Sequence, residues 1–556
     1  MAESSSSTVL TAKQRRYDRQ LRLWAASGQQ ALENSNVLLV NSDGPIDGKD
    51  QNVSGVVGVE TLKNLVLPGI GAFTIVDPAT VAESDLGVNF FLEESSLGKS
   101  RAGETCRLLM ELNLEVDGSF EQETISQLLK REDFLQSYSL IIISAPLRAS
   151  TLQTLSSAAR KLSIPVVYIH SIGFYSGFSL QLPSEFPIVE THPDPDSTQD
   201  LRLVNPWREL AAATAQVEKL DDMSDHEHGH VPYILLLLHY LEDWKKEHDG
   251  NPPSNYKEKT QFRDLVRAGA RTNNTDGGEE NYDEAIGAVL KSITHWTLGS
   301  NLRDIFEMDQ CKNLRPDTDS FWIIAAAIKK FYEANQALPL PGSLPDMKAQ
   351  SADYIALQNI YKEKARRDKD YVLQLVRQME AVLGPRPTHI GEKEVEIFCK
   401  NAAHVKVIRG RDIPRLESGA SQVIESIRNG LVIPDSLLPV FIAFQAVDAM
   451  VNENQEDGSS AKPLDDEAKW SSTIERLVNL ITDNGNQPLD DEAREGITKA
   501  AQEVRRAGGG ELHNISSLTG GLVAQEALKV LTKQYVPLDN TCIFDGIGSR
   551  SEMFRL

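Results

Sequence analysis

The residues with the clearest chemical potential lie between Val37 and Lys99. Gly55 and Gly58 follow the apolar run Val37-Leu38-Leu39-Val40 and open a helical pattern that ends at Pro68-Gly69-Ile70-Gly71. Glycines at such a turn let backbone pass close to a phosphate, and the helix behind them would point its amide end at the anion. A second apolar run, Ala72-Phe73-Thr74-Ile75-Val76, ends in Asp77 and completes the outline of the first βαβ unit of a nucleotide-binding sheet. The outline is damaged. Of a glycine signature only Gly55 and Gly58 are present, and the polar segment Asn41–Ser54 separates strand from turn. Its carboxylates, Asp43, Asp47 and Asp50, would repel a phosphate. Gly98-Lys99-Ser100 invites a phosphate-loop reading but lacks the upstream glycine at the required spacing.

Other reactive side chains are scattered. Cys106, Cys311, Cys399 and Cys542 form no C-x-x-C pair, so neither a zinc site nor a disulfide framework is indicated. Cys311 has a neighbouring Lys312 that would favour a thiolate, whereas Cys399 sits among Ile397, Phe398 and Val407 like a core residue. His226, His228 and His230, with His239 further on, raise the question of a metal. Asp225 before them and Pro232 after them favour a helix start instead, and no metal is expected. A helix is expected from about Lys13. It would place Arg15, Arg19 and Arg22 on one side and Tyr17, Leu21 and Trp24 on the other. Such arginines are either a solvated face or, at one position, a forked cation presented to another site.

The elements that must position these residues alternate between strand and helix at first. Apolar runs at 140–145 and 164–169 flank a helical pattern near 152–162, and a further strand is expected at 176–182, which implies a parallel sheet with right-handed crossovers. From about His192 long helical patterns take over, at 231–246, 261–268, 281–295, 321–334 and 351–380. In the last of these Tyr354, Leu357, Tyr361 and Ala365 recur at helical spacing. The loop Leu338-Pro339-Leu340-Pro341 is either a rigid connector or an extended segment that docks on a partner, since prolines reduce the entropy lost on binding. A second helical block spans 436–480, interrupted by the acidic stretch 453–466. From Gly508 the first pattern returns, with a helix at 520–531 whose small residues allow close packing on the sheet and a strand at 541–546.

The chain's 556 residues give room for about three domains. Its net charge of −23 argues against nucleic acid and anionic membrane as primary partners. The longest apolar run, near Tyr233–Leu241, is too short to span a bilayer, and the Ser-rich start has no secretory pattern. A soluble protein of the cytoplasm and nucleus is expected.

Three stretches carry a resemblance: Tyr17-Asp18-Arg19-Gln20-Leu21-Arg22-Leu23-Trp24, Leu62-Lys63-Asn64-Leu65-Val66-Leu67-Pro68-Gly69-Ile70-Gly71, and Gly98-Lys99-Ser100. The chain resembles the activating enzymes for ubiquitin and ubiquitin-like modifiers. Further matches, among them Phe90-Phe91-Leu92, His192-Pro193-Asp194, Phe262-Arg263-Asp264-Leu265, Pro345-Asp346-Met347 and Ala524-Gln525-Glu526-Ala527, keep their order along nearly the whole chain and are similar to the heterodimeric branch that serves neddylation.

The resemblance implies an α/β, discontinuous Rossmann-like adenylation fold of the ThiF/MoeB type with a large inserted α-helical domain. Its expected parts are a disordered tail at 1–12, the adenylation-like domain at 13–190 and 508–556, and an insertion at 191–507 that corresponds to the domain holding the thioester cysteine in catalytic members. It also implies that Arg19 reaches across to the nucleotide phosphates of a catalytic partner subunit. Against the family's ATP and magnesium positions, Asp77 matches the first aspartate, Ala79 stands at the second, Asp85 at an asparagine, Val88 at an arginine and Lys99 at a lysine. Loss of a magnesium ligand and a phosphate contact implies a non-catalytic chain that binds no cofactor itself, with ATP and magnesium held by the partner. The expected partners are that catalytic subunit, the ubiquitin-like modifier and its conjugating enzyme. Two rival readings are a self-sufficient nucleotide enzyme, either adenylating or a dinucleotide oxidoreductase, and a scaffold with an inert pseudo-site.

Overall fold

A computed structural model describes residues 11–43, 55–194, 200–217, 219–272, 278–295, 297–386, 389–456, 464–483 and 488–556. The chain divides into two compact units, one built from 1–186 with 408–556 and the other from 187–407.

The first unit is organised on an eight-stranded sheet. Its strands are β1 (Asn36–Val40), β2 (Ala72–Val76), β3 (Asp117–Glu121), β4 (Leu140–Ser144), β5 (Val166–Ile172), β6 (Tyr175–Gln181), β9 (Thr541–Asp545) and β10 (Arg550–Phe554), while β7 (Phe186–Val189) and β8 (Val405–Ile408) pair separately. The spatial order is β10-β9-β6-β5-β4-β1-β2-β3. The five strands from β3 to β5 run parallel, and β6, β9 and β10 are antiparallel. β1 and β4 are continuous apolar runs because helices cover both faces of a parallel sheet. The strand order reverses between β1 and β4, and a crevice outside their carboxyl ends is where such sheets place a ligand.

The helix Val56–Val66 follows β1 and is apolar on nearly every side, since it is sandwiched. Its outer neighbour is the helix His513–Thr532. A Cβ added at Gly520 would come within 2.9 Å of Glu60 backbone, so the small residues of this late helix serve helix-on-helix contact as much as contact with the sheet. The helices Leu438–Glu456, Glu467–Asp483 and Asp491–Arg506 share one core with Ile172 of β5, Ile543 of β9 and Leu556. Residues 408–507 therefore pack with the sheet, not with the insertion expected at 191–507, because their apolar faces close on β5 and β9. The expected tail at 1–12 lies, apart from Thr11 and Ala12, outside the described residues, as do 457–463 of the acidic stretch 453–466; Ala12 already opens a helix, Ala12–Arg16.

The second unit, 187–407, is helical and has two apolar clusters. The 33-residue helix Ser351–Leu383 runs through both. Leu357 and Tyr361 enter one, and Val372, Leu375, Val376 and Met379 enter the other.

Candidate functional site

Asn41 follows β1, Gly55 caps the helix Val56–Val66, Asp77 follows β2 and Ser144 ends β4, so the topology gathers these residues at the strand-order reversal. The glycine turn makes the close approach its sequence calls for. A Cβ at Gly55 would lie 2.4 Å from Asn41 Oδ1, and one at Gly58 would lie 2.5 Å from Ser144 Oγ. The turn closes on the protein's own side chains.

The amide end of that helix faces an anion supplied by the same chain. Val56 N–H and Val57 N–H donate to the two carboxylate oxygens of Glu511, each at 2.9 Å. Ser516 Oγ–H donates to Glu511 Oε2 at 2.6 Å. Burial pushes the Glu511 carboxyl up to about 7, against the opposing pull of Ser516, the two amides and Arg101.

The acidic side of the site is also satisfied internally. Arg101 is buried at the start of the helix Arg101–Met110, and its backbone N–H donates to the Ala79 carbonyl at 3.0 Å. Its guanidinium grips Asp77 through Nε at 2.7 Å and Nη2 at 3.1 Å, and Asp85 through Nη1 at 3.1 Å. Burial works against this cation, and the Asp77 and Asp85 carboxylates outweigh it, holding its pKa above the ordinary value. Asp77 accepts further bonds from Asn41 Nδ2 at 2.8 Å and from Ala79 N–H at 3.0 Å. Asp85 accepts from Ala82 N–H at 2.9 Å. The donors that a phosphate would need and the carboxylate that a magnesium ion would need are thus engaged within the chain. The residues present do not fit a bound nucleotide.

Of the positions expected to be degenerate, Asp77, Ala79 and Asp85 converge here. Val88 lies at the rim, its carbonyl accepting from His513 Nδ1 at 3.0 Å while Phe90 stacks on His513 at 3.7 Å. Lys99 does not join them. Its side chain is 55% exposed and its Nζ lies 3.9 Å from Glu104, so the cation of the site is Arg101, two residues on. A sequence signal for Arg101 existed, since it shares the i, i+4, i+8 face of its helix with buried Thr105 and Leu109. Glu511 offered no local signal. Of the loop carboxylates, Asp43 lies 3.5 Å from Arg148 Nε, whereas Asp47 and Asp50 fall outside the described residues.

Arg19 presents the opposite picture. It lies in the first turn of the helix Asp18–Glu33, exposed, with no hydrogen bond or ion pair to any described residue. The other side of that segment fixes it. Tyr17 is buried, its hydroxyl donating to Glu115 at 3.3 Å and accepting from Asn113 Nδ2 at 3.0 Å, and Arg22 pairs with Asp18 at 2.9 Å.

Of Leu338, Pro339, Leu340 and Pro341, the first three are buried within the second unit and Pro341 is half-buried. Leu338 and Leu340 are core residues of the second unit, Pro339 is buried, and Leu340 N–H donates to Asp368 at 3.1 Å. The prolines hold this run where its leucines fill the two apolar clusters. His228 is buried against Glu279 at 2.7 Å, and Ser224 caps a short helix, Asp225–His228. Among the described residues no group of three or more His, Cys, Asp or Glu could hold a metal ion. All four cysteines are buried, and burial pushes the Cys311 thiol up to about 11 and raises Cys399 further, which disfavours the thiolate at either.

The ThiF family matches residues 17–556. A protein of Danio rerio named NEDD8-activating enzyme E1 regulatory subunit is 36% identical over 553 residues, covering 98% of this chain and 99% of its own length. One of Drosophila melanogaster, named Nedd8-activating enzyme E1 regulatory subunit, is 37% identical over 556 residues, covering 99% of each. One of Arabidopsis thaliana, named NEDD8-activating enzyme E1 regulatory subunit AXR1, is 32% identical over 549 residues, covering 97% of this chain and 96% of its own.

Proposed function

The chain belongs to the ThiF family, and we propose that it is the regulatory subunit of the heterodimeric enzyme that activates NEDD8, the ubiquitin-like modifier of neddylation. The observation that carries this reading is the contrast between a nucleotide site satisfied from within and an arginine left open. Arg101 and Glu511 engage the groups that would meet magnesium and phosphate, so this chain is the non-catalytic member of the pair. ATP and magnesium belong to the catalytic partner, which adenylates the C-terminal glycine of the modifier and then holds it as a thioester.

Arg19 is the contribution to chemistry. It is held by Tyr17 at the base of its helix and carries a fixed charge with forked donors, which suits it to the phosphates of the partner's ATP. The conjugating enzyme that receives the modifier is a further partner in this reading, and the cytoplasm and nucleus are its place of action. Among the described residues no helix is long and apolar enough to cross a membrane.

ATP–pyrophosphate exchange with the modifier tests the reading. Exchange is expected from the pair and not from this chain alone, and it should weaken in the pair carrying Arg19→Ala. Exchange by this chain alone would overturn it. Undiminished exchange by the Arg19→Ala pair would reduce the subunit to a scaffold.

A further inference from the structure

The two amides at the start of the helix Val56–Val66 could have been satisfied by a neutral cap, as Ser100, Thr124 and Asn255 show that this chain caps helices with short local side chains. Here the cap is a carboxylate 455 residues away in sequence, buried and bonded through both oxygens. A buried carboxylate is costly unless something there calls for negative charge. The surroundings still have the character of a ligand site. Among the described residues, Asn41 Oδ1 and Ser144 Oγ are buried beside Gly58 with no hydrogen-bond partner, 3.3 and 2.5 Å from where its Cβ would be. Of the two, the Ser144 hydroxyl is a donor, and a donor left unpaired beside a glycine turn fits a site shaped for an anion and closed from inside.

We propose that Glu511 is an internal plug whose carboxylate takes the phosphate position at this helix end, with Ser516 holding it there, and so keeps oxyanions off this chain. Arg101 completes the closure by occupying Asp77 and Asp85. The proposal rests on the reading that this subunit takes no nucleotide, and it adds that one residue enforces that exclusion. ATP in the pair is then confined to the partner's site.

Calorimetric titration of the full chain with inorganic pyrophosphate tests it. The wild-type chain should bind none in the millimolar range, and Glu511→Ala should gain binding on the order of tenfold or more tighter, because two charge-seeking amides are freed. Adding Val56→Pro to that variant should abolish the gain, since proline deletes one donor at a position where helices tolerate it. If Glu511→Ala does not fold, as judged by near-ultraviolet circular dichroism, the shape-preserving Glu511→Gln must gain a measurable pyrophosphate affinity instead. A folded variant with no gain overturns the plug alone. Wild-type chain that binds pyrophosphate as tightly as the variant overturns the underlying reading that this subunit takes no nucleotide.

Discussion

Two charged sites in the first unit have opposite fates. At the carboxyl ends of β1, β2 and β4, Asp77, Asp85, Arg101 and Glu511 satisfy one another and the nearby backbone. On the helix Asp18–Glu33, Arg19 is exposed and unpaired among the described residues. The first site's charges meet internal partners; the second's charge meets none among the described residues, as the proposed contact in trans requires. The crevice at the strand-order reversal is lined by paired charges and not by apolar side chains. In the proposed reading each external charge has an internal counterpart of the same sign, the Arg101 guanidinium for a metal cation and the Glu511 carboxylate for a phosphate.

The largest expected effect comes from breaking the internal side. Arg101→Met leaves Asp77 and Asp85 buried without their cation, and removal of one member of a buried ion cluster costs about 3–5 kcal/mol. Urea unfolding followed by fluorescence should show the first unit's transition shifted by that amount. Arg101→Lys should recover only part of it, because an ammonium cannot span both carboxylates as a fork does.

Glu511 gives the next effect, and its sign is set by burial. Its carboxyl rises from 4.5 to about 7 on folding, so the folded chain binds the proton more tightly than the unfolded one. The stability it contributes is full below pH 4.5 and is lost as the pH rises through 7, a change of about 3 kcal/mol. The stability difference between wild type and Glu511→Gln, measured by urea unfolding from pH 5 to pH 8, should shift toward the variant by a large part of that amount. A constant difference would show that Glu511 titrates normally.

Arg19→Ala attacks the open side. Removing one preorganised donor from developing phosphate charge commonly costs about 10²-fold in rate. The exchange rate of the pair should fall by about that factor with no shift in the unfolding transition. A loss of stability instead would place Arg19 with the structural arginines.

Much of this comparison was legible in the sequence, and the missing parts have physical reasons. β1, β2, β4 and β5 announce themselves as apolar runs because both faces of the central sheet are covered. β3 (Asp-Gly-Ser-Phe-Glu) and β10 (Arg-Ser-Glu-Met-Phe) are edge strands, exposed enough to lose the apolar pattern, and neither was expected. Arg19 was legible through the opposed face of Tyr17, Leu21 and Trp24. Glu511 was not, because two of its three partners are backbone amides, 455 and 454 residues away, that no side-chain pattern reveals. The boundary of the helical insertion was misplaced for a similar reason. The helices of 421–506 read like those of 233–383, and only their contact with Ile172 and Ile543 assigns them to the sheet.

Lys99 is the cation whose removal should matter least. Lys99 stands where the resemblance expects the family's ATP lysine, yet its side chain is more than half exposed and, among the described residues, its ion pair is with Glu104, at 3.9 Å. Surface ion pairs of this kind contribute about 0–1 kcal/mol. Lys99→Ala should therefore leave the unfolding transition within about 0.5 kcal/mol of wild type and leave exchange by the pair unchanged. Against the loss expected of Arg101→Met, that result would locate the cation of the degenerate site by energy as well as by distance. A large loss of exchange on Lys99→Ala would mean instead that this exposed lysine, like Arg19, faces a group outside the chain.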